Sequence, residues 1–169
     1  MFRFSSCCWR SCLWHYFNVQ GKKLVIKAIE WDGLIPALQA GQIDAIIAGM
    51  SDTEERRANV DFTAAYYRST HVVLVSNEGN FANATCLDDF SNAKVAGQMN
   101  TIYADLVPQM VEHGAIAKTN LSSVPELVVQ INNGILDATI VEKPVALGLC
   151  EAYPNLKYIE LKDGFSVNE

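Results

Sequence analysis

Four polar side chains stand where apolar runs of the chain end: Ser51, Arg56, Thr101 and Glu142. The stretch Gly49-Met50-Ser51-Asp52-Thr53-Glu54-Glu55-Arg56 follows one such run. Ser51 and Glu54 have capping-box spacing, which predicts a short helix whose first N–H groups point outward. A helix start of that kind attracts anions, and Arg56 adds a guanidinium able to hold a carboxylate by two parallel bonds. Thr101, reached through Lys94 to Gln98 and Met99-Asn100, is placed to cap a second helix containing Tyr103 to Met110. Glu142 closes another apolar run and presents an acid where an amine could be met. Each residue also has a plainer reading. Arg56 in Glu-Glu-Arg-Arg could be a solvated helix charge, Ser51 and Thr101 ordinary caps, Glu142 a loop acid, and Trp31 core or rim. Their joint arrival at strand ends is what favours a site.

The elements that must position them have a regular pattern from Lys22 onward. Lys23 to Ile29 is apolar and β-branched and predicts a strand. Leu34 to Ala40 predicts a helix, with Pro36 in its first turn and Gly41 as a left-handed cap. Asp44 to Ala48 predicts a strand buried on both faces, so the unit reads as strand, helix and parallel strand. The same phrase recurs 93 positions later: LIPALQAGQIDAIIAGMS (34–51) aligns without gaps on LVVQINNGILDATIVEKP (127–144). Gly41 matches Gly134, Asp44-Ala45 matches Asp137-Ala138, and Ile47 matches Ile140. Two similar α/β lobes would each deliver polar groups from the C-terminal ends of their strands, where open α/β sheets bind ligands. Chance reuse of a common unit is the alternative.

Composition narrows the classes. The 169 residues are 50% hydrophobic and 19% charged, which excludes disorder and allows one domain or two small lobes. Thirteen basic against 19 acidic residues give a net charge of −6, which argues against a nucleic-acid partner, a local basic patch aside. No run of 18 or so apolar residues suggests a membrane-spanning helix. The first 20 residues, MFRFSSCCWRSCLWHYFNVQ, carry three of the five cysteines and two of the three tryptophans. They make a poor secretory signal, because Arg10 interrupts the apolar core, and a poor lipoprotein signal at Cys7. Cys8, Cys12 and His15 have a spacing that could hold zinc but lack an obvious fourth ligand. An atypical leader is preferred, with no metal or cofactor. Cys86 and Cys150 could pair in an oxidising compartment, but they read better as small buried hydrophobes.

The stretch EWDGLIPALQAGQIDAIIAGMSDTEERRANVDFTAAYY (30–67) resembles the signature region of family 3 extracellular solute-binding proteins, the amino-acid receptors of ABC importers. KVAGQMNT (94–101), LDATIVEKPVA (136–146) and NLKYIELKDGF (155–165) continue the match in family order. The resemblance implies the type II periplasmic-binding-protein fold: an α/β protein of two lobes, each with a mostly parallel sheet flanked by helices, closing over a ligand. It implies that Arg56 grips the ligand α-carboxylate with Ser51 and the Gly49-Met50 backbone. Asn100-Thr101 would meet the same carboxylate from lobe two, Glu142 would receive the α-ammonium, and Trp31 would wall the ligand side chain. A zwitterion can leave water only if both charges are paired, so these roles agree with the residue types. The implied partners are a free, polar L-amino acid and the permease and ATPase subunits of an ABC importer, and the implied location of the chain itself is outside the cytoplasm. No catalysis is implied.

Departures from the family pattern set further expectations. Asn100 replaces the usual Gly, and Asn tolerates a left-handed backbone. Ala64-Ala65 replaces Asp-Pro and should loosen that turn. The expected organisation is an atypical leader (1–20), a partial lobe one (21–75), lobe two (76–165) and the start of a return crossing (166–169). Lobe one is thus expected to be incomplete at both ends, with exposed strand edges that favour self-association, and the chain alone to bind weakly or not at all. A cyclohexadienyl-dehydratase-like enzyme using Glu142 as an acid, or a regulatory ligand-binding module, are the alternatives on the same scaffold.

Overall fold

The computed structural model describes residues 21, 23–66, 68–162 and 164–165. The leader, with its zinc and signal readings, and residues 166–169 lie outside the described residues.

The best-formed part is a five-stranded sheet. Its strands are β1 (His71–Ser76), β2 (Lys94–Ala96), β3 (Ile116–Ala117), β4 (Ala138–Glu142) and β5 (Leu156–Ile159), in the order β3-β2-β4-β1-β5. Strands β2–β3 and β2–β4 pair parallel, while β1 pairs antiparallel with both β4 and β5. The sheet is therefore mixed rather than mostly parallel. Its helices are α3 (Ile102–Glu112), α4 (Val124–Asn132) and α5 (Lys143–Ala152). They cover both faces, so Val72–Val75 of β1 is an unbroken apolar run and β4 is buried from Ala138 to Val141. On one face Val73, Val75, Ala138 and Ile140 pack with Phe90 and with Leu106, Val107 and Met110 of α3. On the other, Val72, Leu74 and Val141 pack with Leu127, Val128 and Ile131 of α4 and with Ala146 and Leu149 of α5. The sheet takes in His71 to Val75, which the sequence pattern assigns to lobe one; the ladder with β4 and β5 fixes them here.

Residues 23–70 are built differently. They hold a 3-10 turn (Trp31–Gly33), helix α1 (Leu34–Gln39) and the single turn α2 (Glu54–Arg57). Gly41 ends α1 in the left-handed region, φ 67°, as its position predicts. The strands expected over 23–29 and 44–48 do not form: neither segment has a ladder partner among the described residues. Val25 and Ile26 accordingly remain 65% and 62% exposed. A strand is stabilised by its neighbours, so apolar β-branched sequence without a partner stays irregular.

Cys86 and Cys150 are both free thiols, so the possible disulfide is absent. Cys86 begins the 3-10 helix Leu87–Phe90 rather than filling the core. Half-buried Cys150 packs on the cluster under α4 and α5, and desolvation raises its pKa.

Candidate functional site

The guanidinium of Arg56 is the centre of the arrangement. Its Nη1 donates to Ser51 O (2.8 Å) and its Nη2 to Asn100 O (3.1 Å). Its carbon sits over the Trp31 ring, 5.6 Å from the centroid, within cation–π range. Burial lowers its pKa, opposed by Glu55, Asp105 and Tyr103 nearby. An arginine remains charged under such a shift. The helix turn carrying it is capped by Thr53, whose Oγ1 accepts from Arg56 N (3.3 Å). Ser51 is therefore not the cap its spacing with Glu54 predicts. It lies two residues too early, and its backbone carbonyl accepts from the Arg56 side chain instead.

Asn100 does adopt the left-handed backbone expected of it, with φ 57°. Its carbonyl accepts a second bond, from Trp31 Nε1 at 3.0 Å. Its side-chain Nδ2 donates to Asp32 Oδ1 at 2.9 Å. Thr101 caps α3 as predicted: it is buried, and its Oγ1 accepts from Tyr103 N (3.2 Å) while donating to Gln98 O (2.7 Å).

Glu142, half-buried at the end of β4, faces the first segment. A methyl group on Gly49 would lie 2.8 Å from Glu142 Oε1, so the absent side chain of Gly49 provides the room for that carboxylate. Tyr66 donates to Ala48 O (2.6 Å), and its pKa is raised by burial and then by the charge of Glu142. Met50 is half-buried between Gly49 and Ser51.

His71 and Tyr103 connect the two charged ends. His71 is the cross-strand partner of Glu142, so their side chains share a sheet face. The His71 ring meets that of Tyr103 edge-on, 5.7 Å between centroids. Tyr103 in turn is within electrostatic reach of Arg56. Neither aromatic residue, nor Asp32, was marked by the sequence pattern. The nearest signal is the antiparallel register that sets His71 opposite Glu142, and a register is invisible until pairing is known. Among the described residues no group of three or more His, Cys, Asp or Glu is placed to hold a metal. None of the described helices is long and apolar enough to cross a membrane.

A mixed α/β sheet covered by helices, with a second segment packed across its strand ends, defines the type II periplasmic-binding-protein class. Comparison with solved structures agrees. An ancestral arginine-binding protein bound to glutamine superposes with a TM-score of 0.78 at 28% identity, over 94% of this chain and 68% of that one. The substrate-binding protein of an amino-acid ABC transporter superposes with a TM-score of 0.75 at 33% identity, over 88% of this chain and 66% of that one. Residues 16–141 match the family model of bacterial extracellular solute-binding proteins, family 3, and the chain belongs to that family. A probable histidine-binding protein of Campylobacter jejuni is 31% identical over 139 residues, 80% of this chain and 51% of that protein. The arginine-binding extracellular protein ArtP of Bacillus subtilis is 24% identical over 143 residues, 85% of this chain and 55% of that protein. The chain thus spans about half the length of the curated relatives it matches.

Proposed function

We propose that this chain is the substrate-binding part of an amino-acid ABC importer, taking a free, polar L-amino acid between residues 23–70 and the sheet lobe. The observation that carries the reading is the gathering of an oriented guanidinium and a carboxylate at opposite ends of the Tyr103–His71 pair. Two of the five Arg56 N–H donors are spent on Ser51 and Asn100, which aim the fork. Arg56 then holds the ligand carboxylate and Glu142 its ammonium, with Gly49 giving Glu142 its space and Trp31 walling the side chain. Met50 and Ser51 contribute backbone to the carboxylate side. The Thr101 hydroxyl proton is committed to Gln98, so Thr101 serves by holding the start of α3 and the Asn100 turn. Glu142 acts as a charge partner, and no catalytic step is assigned to it.

The names of the relatives and structural neighbours, which bind arginine, histidine or glutamine, support an amino acid as ligand. The substrate-binding protein of an amino-acid ABC transporter among the neighbours supports importer permease and ATPase subunits as partners, and the extracellular family supports a place outside the cytoplasm for this chain. Segments 23–29 and 44–48, apolar and without a ladder partner among the described residues, make self-association by pairing with a second copy part of the same reading. Light scattering over a concentration series is expected to show mass rising with concentration.

The direct test is an amide-resonance titration of the labelled chain with L-arginine, L-histidine and L-glutamine, which registers even weak binding. Shifts are expected at Trp31, Arg56, Asn100 and Glu142. Arg56→Met is expected to weaken binding about 10- to 100-fold, the worth of charge-assisted bonds. A folded chain that responds to none of the three, or an Arg56→Met variant that binds equally well, overturns the reading.

A further inference from the structure

We propose that Asp32 is a positioning residue of this site: by holding the Asn100 side chain it fixes the single carbonyl on which Arg56 and Trp31 converge. The inference rests on the proposed role of Arg56 as the carboxylate grip, and it adds a residue and a linkage to it.

A left-handed backbone costs an L-residue about 1–2 kcal/mol, so a non-glycine residue there calls for compensation. Asn100, φ 57°, is one of only two non-glycine positions with positive φ among the described residues. What compensates is an attachment at two points. Trp31 Nε1 bonds the Asn100 carbonyl (3.0 Å), and Asp32, the next residue, accepts from Asn100 Nδ2 (2.9 Å). Both belong to the 3-10 turn Trp31–Gly33, so one turn grips Asn100 by main chain and side chain together. A single bond between exposed groups would let the loop pivot. Two bonds from adjacent residues define its orientation.

The consequence reaches Arg56. The Asn100 carbonyl has two lone pairs, one taken by Trp31 and the other by Arg56 Nη2 (3.1 Å). The guanidinium also lies over the Trp31 ring. Trp31, Asn100 and Arg56 therefore form a closed set of contacts, and Asp32 is the outer fastening of that set. Asp32 is exposed and its side-chain bond is to Asn100, so its effect is transmitted through Asn100. The geometry also explains why glycine at position 100 would not be equivalent. It would keep the backbone conformation but lose the amide that Asp32 holds.

That distinction supplies the experiment. Asp32→Ala, Asn100→Gly and the double variant are compared with the parent chain without ligand. The readout is the solvent-exchange rate of the Trp31 indole N–H, which reports the bond to Asn100. Each single variant is expected to accelerate it about three- to tenfold, the worth of one exposed charge-assisted bond. The double variant is expected to be no faster than the singles, because all remove the same bond. Unchanged exchange in Asp32→Ala, additive effects in the double variant, or a lower melting temperature with exchange unaltered at Trp31, overturns the proposal. With L-arginine as the probe, dissociation is expected to be faster by a similar factor. If L-arginine, L-histidine and L-glutamine all fail to bind, the carboxylate-grip reading falls while the exchange cycle still decides the Asp32 linkage.

Discussion

The repeated phrase of the sequence folds in two ways. Val124–Asn132 forms helix α4, Gly134 turns left-handed at φ 69°, and Ala138–Glu142 becomes β4, buried up to its last residue. In the first copy, Leu34–Gln39 forms helix α1 and Gly41 turns at φ 67°, but the segment aligned with β4 makes no ladder. The local parts, helix and glycine cap, come out alike in both. The strand differs because it is not a local part: β4 lies between β1 and β2, whereas residues 44–48 have no ladder partner among the described residues. Sequence pattern nominates a strand, and flanking strands admit it.

The largest consequence concerns matched isoleucines. Ile140 is 0% exposed in the middle of β4, while its counterpart Ile47 is 46% exposed. Ile140→Ala is expected to cost about 2–5 kcal/mol in urea unfolding, the usual result of emptying a packed site. Ile47→Ala should cost under about 0.5 kcal/mol, as for a surface position. Equal losses would break the comparison, because they would mean that residues 44–48 are as well packed as β4.

A smaller effect sharpens it. Gly41 and Gly134 have nearly the same φ, and a Cβ at either would meet nothing within 4 Å. Alanine therefore encounters only backbone strain, about 1–2 kcal/mol at each position. Gly134→Ala is expected to show that loss in full. Gly41→Ala shows it only if residues 23–70 unfold together with the sheet lobe, so the ratio of the two losses measures how far the halves are one cooperative unit. Thermal melts of the two variants give that ratio directly.

These differences also account for what could be read in advance. β2, β4 and α3 were legible because an apolar run and a capping threonine are local signals, whereas β1 (His71–Ser76) was not marked in advance. The Ser51 cap was misplaced because Thr53-Glu54-Glu55-Arg56 offers the same kind of signal two residues later. The first segment's strands were overread because the pattern of residues 23–29 and 44–48 is that of β4 without its neighbours. At the site, Trp31, Ser51, Arg56, Asn100 and Glu142 were nominated from sequence, and the structure brings them into two linked groups. Asp32, His71 and Tyr103 escaped notice because their importance lies in contacts across the chain. Asp32 meets Asn100 at a separation of 68 residues, and His71 meets Glu142 only through strand register.

The smallest expected effect sets two exposed carboxylates against each other, one in each half. Asp89 accepts backbone bonds from Thr85 (2.7 Å) and Cys86 (3.3 Å), and these lower its pKa, the Thr85 bond most. Asp52 has its pKa lowered chiefly by its bond to the Arg57 guanidinium. A carboxylate whose folded pKa is below its unfolded value stabilises the fold above the unfolded value, and the gain is lost as pH falls through the folded one. Asp89→Asn is therefore expected to lower the melting temperature near neutral pH, with the gap closing below about pH 4. Added salt should leave most of the gap, since its source is hydrogen bonding to backbone. Asp52→Asn should give a smaller gap of the same sign, which salt erases, because an exposed ion pair is screened. If residues 23–70 melt independently of the sheet lobe, that gap is absent from the main transition at every pH. A salt-insensitive gap at Asp52 equal to that at Asp89 would show instead that the first segment is held as firmly as the sheet.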